Sequence, residues 1–329
     1  MSGILARLRS AAGRLRRSAR LLLPPQTRPA ILMYHRIAEE SFDPWGQAVT
    51  PTHFAAHIRW LAEHRTVLPL AEFVALHRAQ RLPADALSVT FDDGYACAVE
   101  QARPLLDAMG LTATVFLPAD LIDAGREFWW DELERIVLEH PAPSIEFEGR
   151  AIALGQRQTD DRDWSPGAAP RTDRQRAYHA IWSLLRDRRP AEIEIAMAQL
   201  RIKDAAPRAS HRPMSWREAR DAAPVLDVGS HGRTHPFLPK LDSMEKATEI
   251  RESRRRCADR TGNLPPVFAY PFGAFDADCM QLASDAGYDG ACTTAQAFVD
   301  HSADSYALPR LHVGNWEPGR FARMMAGRA

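Results

Sequence analysis

The segment Ser88-Val89-Thr90-Phe91-Asp92-Asp93-Gly94-Tyr95 constrains this chain more than any other. An apolar, β-branched run stops at two adjacent carboxylates and a glycine. That is the pattern of a strand that leaves a core and delivers acids to a rim. Side chains adjacent along a strand diverge, so the two carboxylates do not share one environment. One can bind a metal while the other handles a proton.

The surrounding sequence alternates between strand and helix signals. Ala30 to Tyr34 reads as a buried strand with His35 at its end. Phe54 to Glu63 and Leu70 to Arg78 carry helical periodicity. Leu87 to Phe91 is the strand that bears the aspartates, Tyr95 to Met109 is expected to be helical up to Gly110, and Thr112 to Leu117 is again a strand. This rhythm predicts a parallel α/β sheet or barrel. It breaks near residue 125. Phe128-Trp129-Trp130-Asp131-Glu132-Leu133 opens a helix, Gly155 to Thr172 is polar and aperiodic and reads as a long mobile loop, and Ala177 to Arg188 and Ala191 to Arg201 look helical. Residues 126–211 are therefore expected to form a helical insertion or lid. The rhythm resumes with a helix capped by Ser215 and strands at Val225 to Ser230, Val267 to Tyr270, Gly290 to Thr293 and Leu308 to Val313.

The second informative segment is Ser230-His231-Gly232-Arg233-Thr234-His235-Pro236, two imidazoles four residues apart just past a strand end. Two imidazoles and a carboxylate make a face for a borderline divalent ion such as zinc, with positions left for water and substrate. Two further segments, Met33-Tyr34-His35-Arg36 and Phe268-Ala269-Tyr270-Pro271-Phe272-Gly273, also sit at strand ends. In a parallel barrel, chemistry gathers at the C-terminal ends of the strands, and all four segments lie there.

Together these motifs resemble the polysaccharide deacetylase superfamily, the NodB-homology or carbohydrate esterase family 4 group. Thr90-Phe91-Asp92-Asp93-Gly94 is similar to its T-F-D-D-G motif, His231 through His235-Pro236 to its second motif, and Tyr270-Pro271-Phe272-Gly273 to a variant of its third. The resemblance covers residues 30–125 and 212–315. It implies a distorted (β/α) barrel in which Asp92 is the general base toward the attacking water and Asp93, His231 and His235 hold a divalent metal, zinc in the first instance. It also implies an oxyanion donor at the backbone of Phe272, with Tyr270 beside it.

Two departures from the family pattern matter. The arginine that usually orients the base is replaced at the matching position by Ala269; Arg310 either supplies that guanidinium from a neighbouring strand or forms an ordinary core ion pair. The catalytic-acid histidine usually follows the other motifs, whereas here His35 precedes them. In this respect the chain resembles circularly permuted members that de-N-acetylate exopolysaccharides. His35 is the expected acid and His312 its rival. Trp130, with Trp129 and Asp131, either stacks on a sugar ring at the rim or forms the buried face of the insertion's helix. The remaining histidines are expected to be solvated.

The partner expected on this reading is an N-acetylated glycan, with deacylation of a smaller amide or glycan binding without turnover as the alternatives. Lys+Arg and Asp+Glu both number 42, so no global field favours nucleic acid. Seven arginines and no acid stand in residues 1–30, with leucines and alanines at helical spacing between them. This basic leader, residues 1–29, is compatible with peripheral contact at an anionic membrane surface. With no secretory signal pattern visible, the expected location is cytoplasmic, at the inner face of the membrane. The four cysteines form no disulfide framework.

Overall fold

The structure, a computed structural model, describes residues 27–162, 164–201 and 207–327. The reading of residues 1–26 as an amphipathic leader lies outside the described residues. Among them, no helix is long and apolar enough to cross a membrane.

The strands of the main sheet are β1 (Ala30–Tyr34), β4 (Thr66–Val67), β5 (Ala86–Phe91), β6 (Ala113–Leu117), β9 (Leu226–Ser230), β10 (Val267–Ala269), β11 (Gly290–Cys292) and β12 (Leu311–His312). Two-residue strands β2 (Arg36–Ile37) and β3 (Ala48–Val49) pair separately. The main sheet is parallel throughout, in the order β11-β10-β9-β6-β5-β1-β12, with β4 against the start of β5. It curls back on itself. Leu308 bridges Cys292, donating its amide to the Ala291 carbonyl and accepting from the Thr293 amide, and three residues later Leu311 pairs with Leu32 of β1. The expected distorted (β/α) barrel is therefore present, closed by the single segment 308–312.

Alternation along the strands sorts the core into an outer and an inner layer. Leu32, Tyr34, Leu87, Val89 and Phe91 pack outward against Phe54, Ile58 and Leu61 of α1 (Pro51–His64). Ile31, Phe116, Val267, Ala269 and Cys292 share one inner cluster with Leu70, Phe73 and Val74 of α2 (Leu70–Arg78). Strands from opposite ends of the sheet meet in that cluster only because the sheet is curled. The hydroxyls that β5 takes into the core are satisfied: Ser88 donates to the Leu68 carbonyl and Thr90 to the Leu32 carbonyl, as buried polar groups require.

Several boundaries shift for local reasons. α1 starts at Pro51, because Thr50 caps it and proline suits the first turn. The helix expected over Tyr95 to Met109 is instead an i→i+5 turn at Ala98–Ala102 followed by α3 (Arg103–Ala108). Tyr95 itself bridges Pro213. Ser215 does cap its helix, α7 (Trp216–Asp221), accepting from the Glu218 amide. The histidine expectation fails at three positions. His57, His77 and His211 are buried, and the first two bond the carbonyls of Trp316 and Ala303.

The insertion is not purely helical. After α4 (Trp129–Glu134) it forms an antiparallel hairpin, β7 (Ser144–Phe147) with β8 (Arg150–Ala153), before α5 (Asp173–Arg186) and α6 (Pro190–Leu200). Nor is its polar segment a free loop. Gln175 donates to the Asp160 carbonyl, buried Asp161 lies 3.7 Å from buried Arg174, and buried Trp164 meets Tyr178 edge to face. The contacts that pin it come from α5, which local sequence reading does not supply. The insertion's apolar residues form a cluster of their own, joined by Phe42, Tyr95 and Phe272 from the barrel side.

Candidate active site

At the tip of β5, Asp92 is almost wholly buried and its amide donates to the Tyr34 carbonyl. Arg310, fully buried on the closing segment, grips both of its oxygens: Nη1 reaches Oδ1 and Nη2 reaches Oδ2, each at 2.7 Å. Arg310 is itself held, by Nε to the Thr293 carbonyl at 2.9 Å and Nη1 to the Thr90 hydroxyl at 3.2 Å. Burial alone would raise the Asp92 carboxyl, but the guanidinium's charge and hydrogen bonds outweigh it and leave the group below the ordinary carboxylate range. A bidentate pair of this kind fixes orientation as well as charge.

Asp93 turns the other way. It takes a left-handed backbone, φ 68°, and sends Oδ1 to within 3.5 Å of His231 Nε2 and 3.2 Å of His235 Nε2. The next residue must be glycine: φ is +71° at Gly94, and a Cβ there would lie 2.6 Å from Leu117. His235 and Phe272 are left-handed too, both at φ 57°. Three non-glycine residues in this costly region, all lining one cavity, mark a site whose surroundings dictate its geometry.

The three ligand candidates suit a divalent ion. Their donor atoms lie within 4.8 Å of one another and all three residues are buried. His231 donates from Nδ1 to the Ala269 carbonyl at 2.8 Å, which fixes its tautomer and leaves the Nε2 lone pair facing Asp93. Ligating imidazoles commonly have such an outer partner. Ala269, where the expected arginine is missing, thus contributes a carbonyl, and the guanidinium comes from Arg310. The turn between the histidines is clamped by buried Glu249, which accepts from the amides of Arg233 and Thr234 and from the Thr234 hydroxyl.

The structure brings both candidate acids to the cavity. His35 and His312 line it and meet edge to face at 5.8 Å. His35 is the more buried, and its Nδ1 has no protein partner. Burial lowers its pKa, partly offset by the charges of Asp93 and Asp92. Burial likewise lowers His312, to about 4.

The cavity encloses about 370 Å³. The barrel provides its floor and the insertion one wall. Trp130 belongs to that wall and is buried with the rest of its helix, as the packing reading expects. Its ring lies 4.6 Å from that of His235 and stacks on Phe128, while Nε1 donates to the Tyr95 hydroxyl, which donates to Asp131. Phe272 meets Trp130 edge to face at 6.4 Å, its ring 4.6 Å from that of His235. Tyr270 corrects the expectation placed on it. It lies outside the cavity, packed against Phe268 and Phe275, with its hydroxyl given to the Tyr306 carbonyl.

Comparison with known proteins identifies the family and the fold. Residues 79–141 and 202–291 match the family model described as polysaccharide deacetylase. YxkH of Bacillus subtilis (strain 168), provisionally described as a polysaccharide deacetylase, is 32% identical over 285 residues, covering 86% of this chain and 70% of that protein. This chain belongs to the polysaccharide deacetylase family. It is accordingly a hydrolase of the kind that removes acetyl groups. The fold is shared with the Streptococcus pyogenes deacetylase PplD, solved in complex with acetate (TM-score 0.61, 16% identity, 92% of this chain and 99% of that one). It is also shared with IcaB from Ammonifex degensii (TM-score 0.56, 17% identity, 92% and 98%).

For a member of this family, the residues that sequence reading missed are mostly in the walls. Trp45, Trp182, Arg186 and Phe237 all line the cavity. Trp182 and Arg186 lie on α5, where an aromatic at helical spacing reads as core, and nothing local shows that this turn of helix faces the barrel. Glu249 lies on a strongly polar helix, α8 (Ser243–Thr261). Its burial is the only signal of its role, and that appears only in three dimensions.

Proposed function

We propose that this protein is a metal-dependent N-deacetylase acting on amino sugars of a polysaccharide or lipid-linked saccharide during assembly of a cell-surface glycan. One observation carries the reading. A carboxylate locked by a bidentate guanidinium stands beside a buried Asp-His-His set at the floor of a single cavity.

Asp93, His231 and His235 would hold the ion, zinc being the borderline cation that such a donor set favours. When bound there, it supplies Lewis-acid polarisation of the amide carbonyl and of the water. Asp92 is ionised and fixed by Arg310, so it can take the proton from the attacking water. As the carbonyl carbon becomes tetrahedral, the Phe272 amide is the proposed donor to the developing oxyanion. Collapse breaks the C–N bond, releasing acetate. His35 gives a proton to the departing amine, and His312 is close enough to replace it in that task. Trp130 and Phe272 restrict where the acetamido group can lie.

The test pairs metal analysis of the purified protein with acetate release from N-acetylated oligosaccharides. Metal at one equivalent that disappears in Asp93→Ala, together with acetate release that collapses in Asp92→Asn, is expected. A metal-loaded protein that releases no acetate from any such glycan, with Asp92→Asn indistinguishable from it, would sink the hydrolytic reading.

A further inference from the structure

Among the described residues, one arginine and no lysine lines the cavity. Arg186 closes α5, and its guanidinium carbon lies 4.7 Å from the ring centre of Phe237 and 5.4 Å from that of Trp182. Stacking on two rings holds the planar group without consuming its donors. Nε donates to Asp187 at 2.7 Å. Neither terminal nitrogen has a hydrogen-bond partner among the described residues. Asp187 also lies 3.6 Å from Lys240. Two cations thus share one carboxylate, and the Arg186–Asp187–Lys240 trio keeps a net positive charge.

The charges deeper in the cavity do not cancel it. Asp92 is neutralised by Arg310 and Asp93 faces the two imidazoles. Beside Arg186 the wall is an aromatic shelf. Trp45 and Trp182 have ring centres 4.5 Å apart, and Trp45 is fixed by its indole N–H to the Tyr178 hydroxyl at 2.7 Å. Flat apolar faces beside an open two-pronged donor are what a sugar ring bearing an acidic group requires.

We infer that Arg186 and the Trp45–Trp182 shelf form a subsite for an anionic substituent, a carboxylate or a phosphoryl group, on the saccharide that carries the acetamido group. The substrate class is then an acidic N-acetylated saccharide. This rests on the deacetylase reading and adds the charge of the substrate to it.

The test uses the full chain loaded with zinc and three matched oligosaccharides of N-acetylglucosamine: neutral, interleaved with a uronic acid, and carrying a terminal phosphate. The expected result is a preference for one acidic substrate of about tenfold in kcat/KM, expressed mainly in KM, as for one charge-assisted bidentate contact. Arg186→Gln brings the acidic-to-neutral ratio close to one, Arg186→Lys keeps part of it, and added salt shrinks it in the parent enzyme. The arm that shows the preference identifies the anion. Equal kcat/KM for all three, or a preference that survives Arg186→Gln, overturns the subsite and leaves deacetylation standing. Absence of acetate from every arm is instead the failure of the deacetylase reading. Tryptophan-fluorescence titration of the same saccharides into Asp92→Asn reads the subsite without turnover. Acidic saccharides binding about tenfold tighter there support it, and equal binding overturns it.

Discussion

Asp92 and Asp131 are both buried carboxylates within reach of a buried arginine, and the protein shifts their pKa values in opposite directions. Asp92 receives two 2.7 Å bonds from Arg310, and its pKa falls. Asp131 lies 3.8 Å from Arg36, in an assembly where Glu127, Glu134 and Asp131 crowd around Arg36, Arg135 and Arg208. Burial there outweighs the arginines, raising Asp131 to about 7 and Glu134 to about 8. Burial is nearly equal in the two places; Asp92 has one guanidinium to itself at hydrogen-bond distance, whereas Asp131 shares more distant arginines with neighbouring acids, among them Glu127. The first arrangement keeps the carboxylate proposed as the base in its charged form. The second joins insertion to barrel with groups that can shed their charge.

The largest effect expected from breaking this contrast is on turnover. Asp92→Asn should cost about 10²- to 10⁴-fold in kcat, the usual span for a lost general base, with metal content unchanged. Asp131→Asn, which mimics a protonated carboxyl, should leave kcat nearly intact. Comparable losses in the two variants would erase the distinction.

Stability should separate the arginines in the same way. Arg310→Gln strands a buried charge, so urea unfolding should show a loss of about 3–5 kcal/mol. Arg36→Gln should cost less, because Asp131 can take up a proton. An equal loss would mean that the two acids are held alike.

Glu249 sharpens the comparison from the metal side. Glu249→Gln weakens the clamp on the histidine turn, and zinc affinity measured by competition with a chelator should fall by about 10- to 100-fold. The smallest effect is a slope. Asp131 and Glu134 have folded pKa values above their unfolded ones, so between about pH 4 and 8 the folded state binds more protons than the unfolded state. The contribution of these two groups to stability must then fall as pH rises through that window. Melting temperatures of the parent should show this fall relative to Asp131→Asn/Glu134→Gln. A parent no steeper than the double variant counts against the raised pKa values.

Much of the centre was legible because its signals are local. Strands that stop at Asp92-Asp93-Gly94, Ser230-His231 and Ala269-Tyr270-Pro271 announce their ends in their own residues, and parallel topology brings those ends together. Arg310 could be nominated from sequence, but its bidentate grip depends on how the sheet closes. Tyr270 was misplaced although the alternation was readable. Val267 and Ala269 pack inward, so Phe268 and Tyr270 face outward. The insertion resisted reading for a different reason. Its hairpin, its pinned polar segment and the cavity wall formed by Trp182 and Arg186 depend on contacts between segments far apart in the chain.

The closing segment also gives the site a timetable. Asp92, His231 and His235 leave the ribosome well before Arg310, which lies 75 residues or more beyond them in the chain. Until that residue arrives, the tip of β5 lacks the counter-ion that makes its burial tolerable, and the seam beside β1 stands open. Newly made chains are therefore expected to stay catalytically silent until Arg310 has been made and the segment around it has docked. A chain ending at residue 305 should show this directly, by holding zinc more weakly than the full protein and hydrolysing nothing.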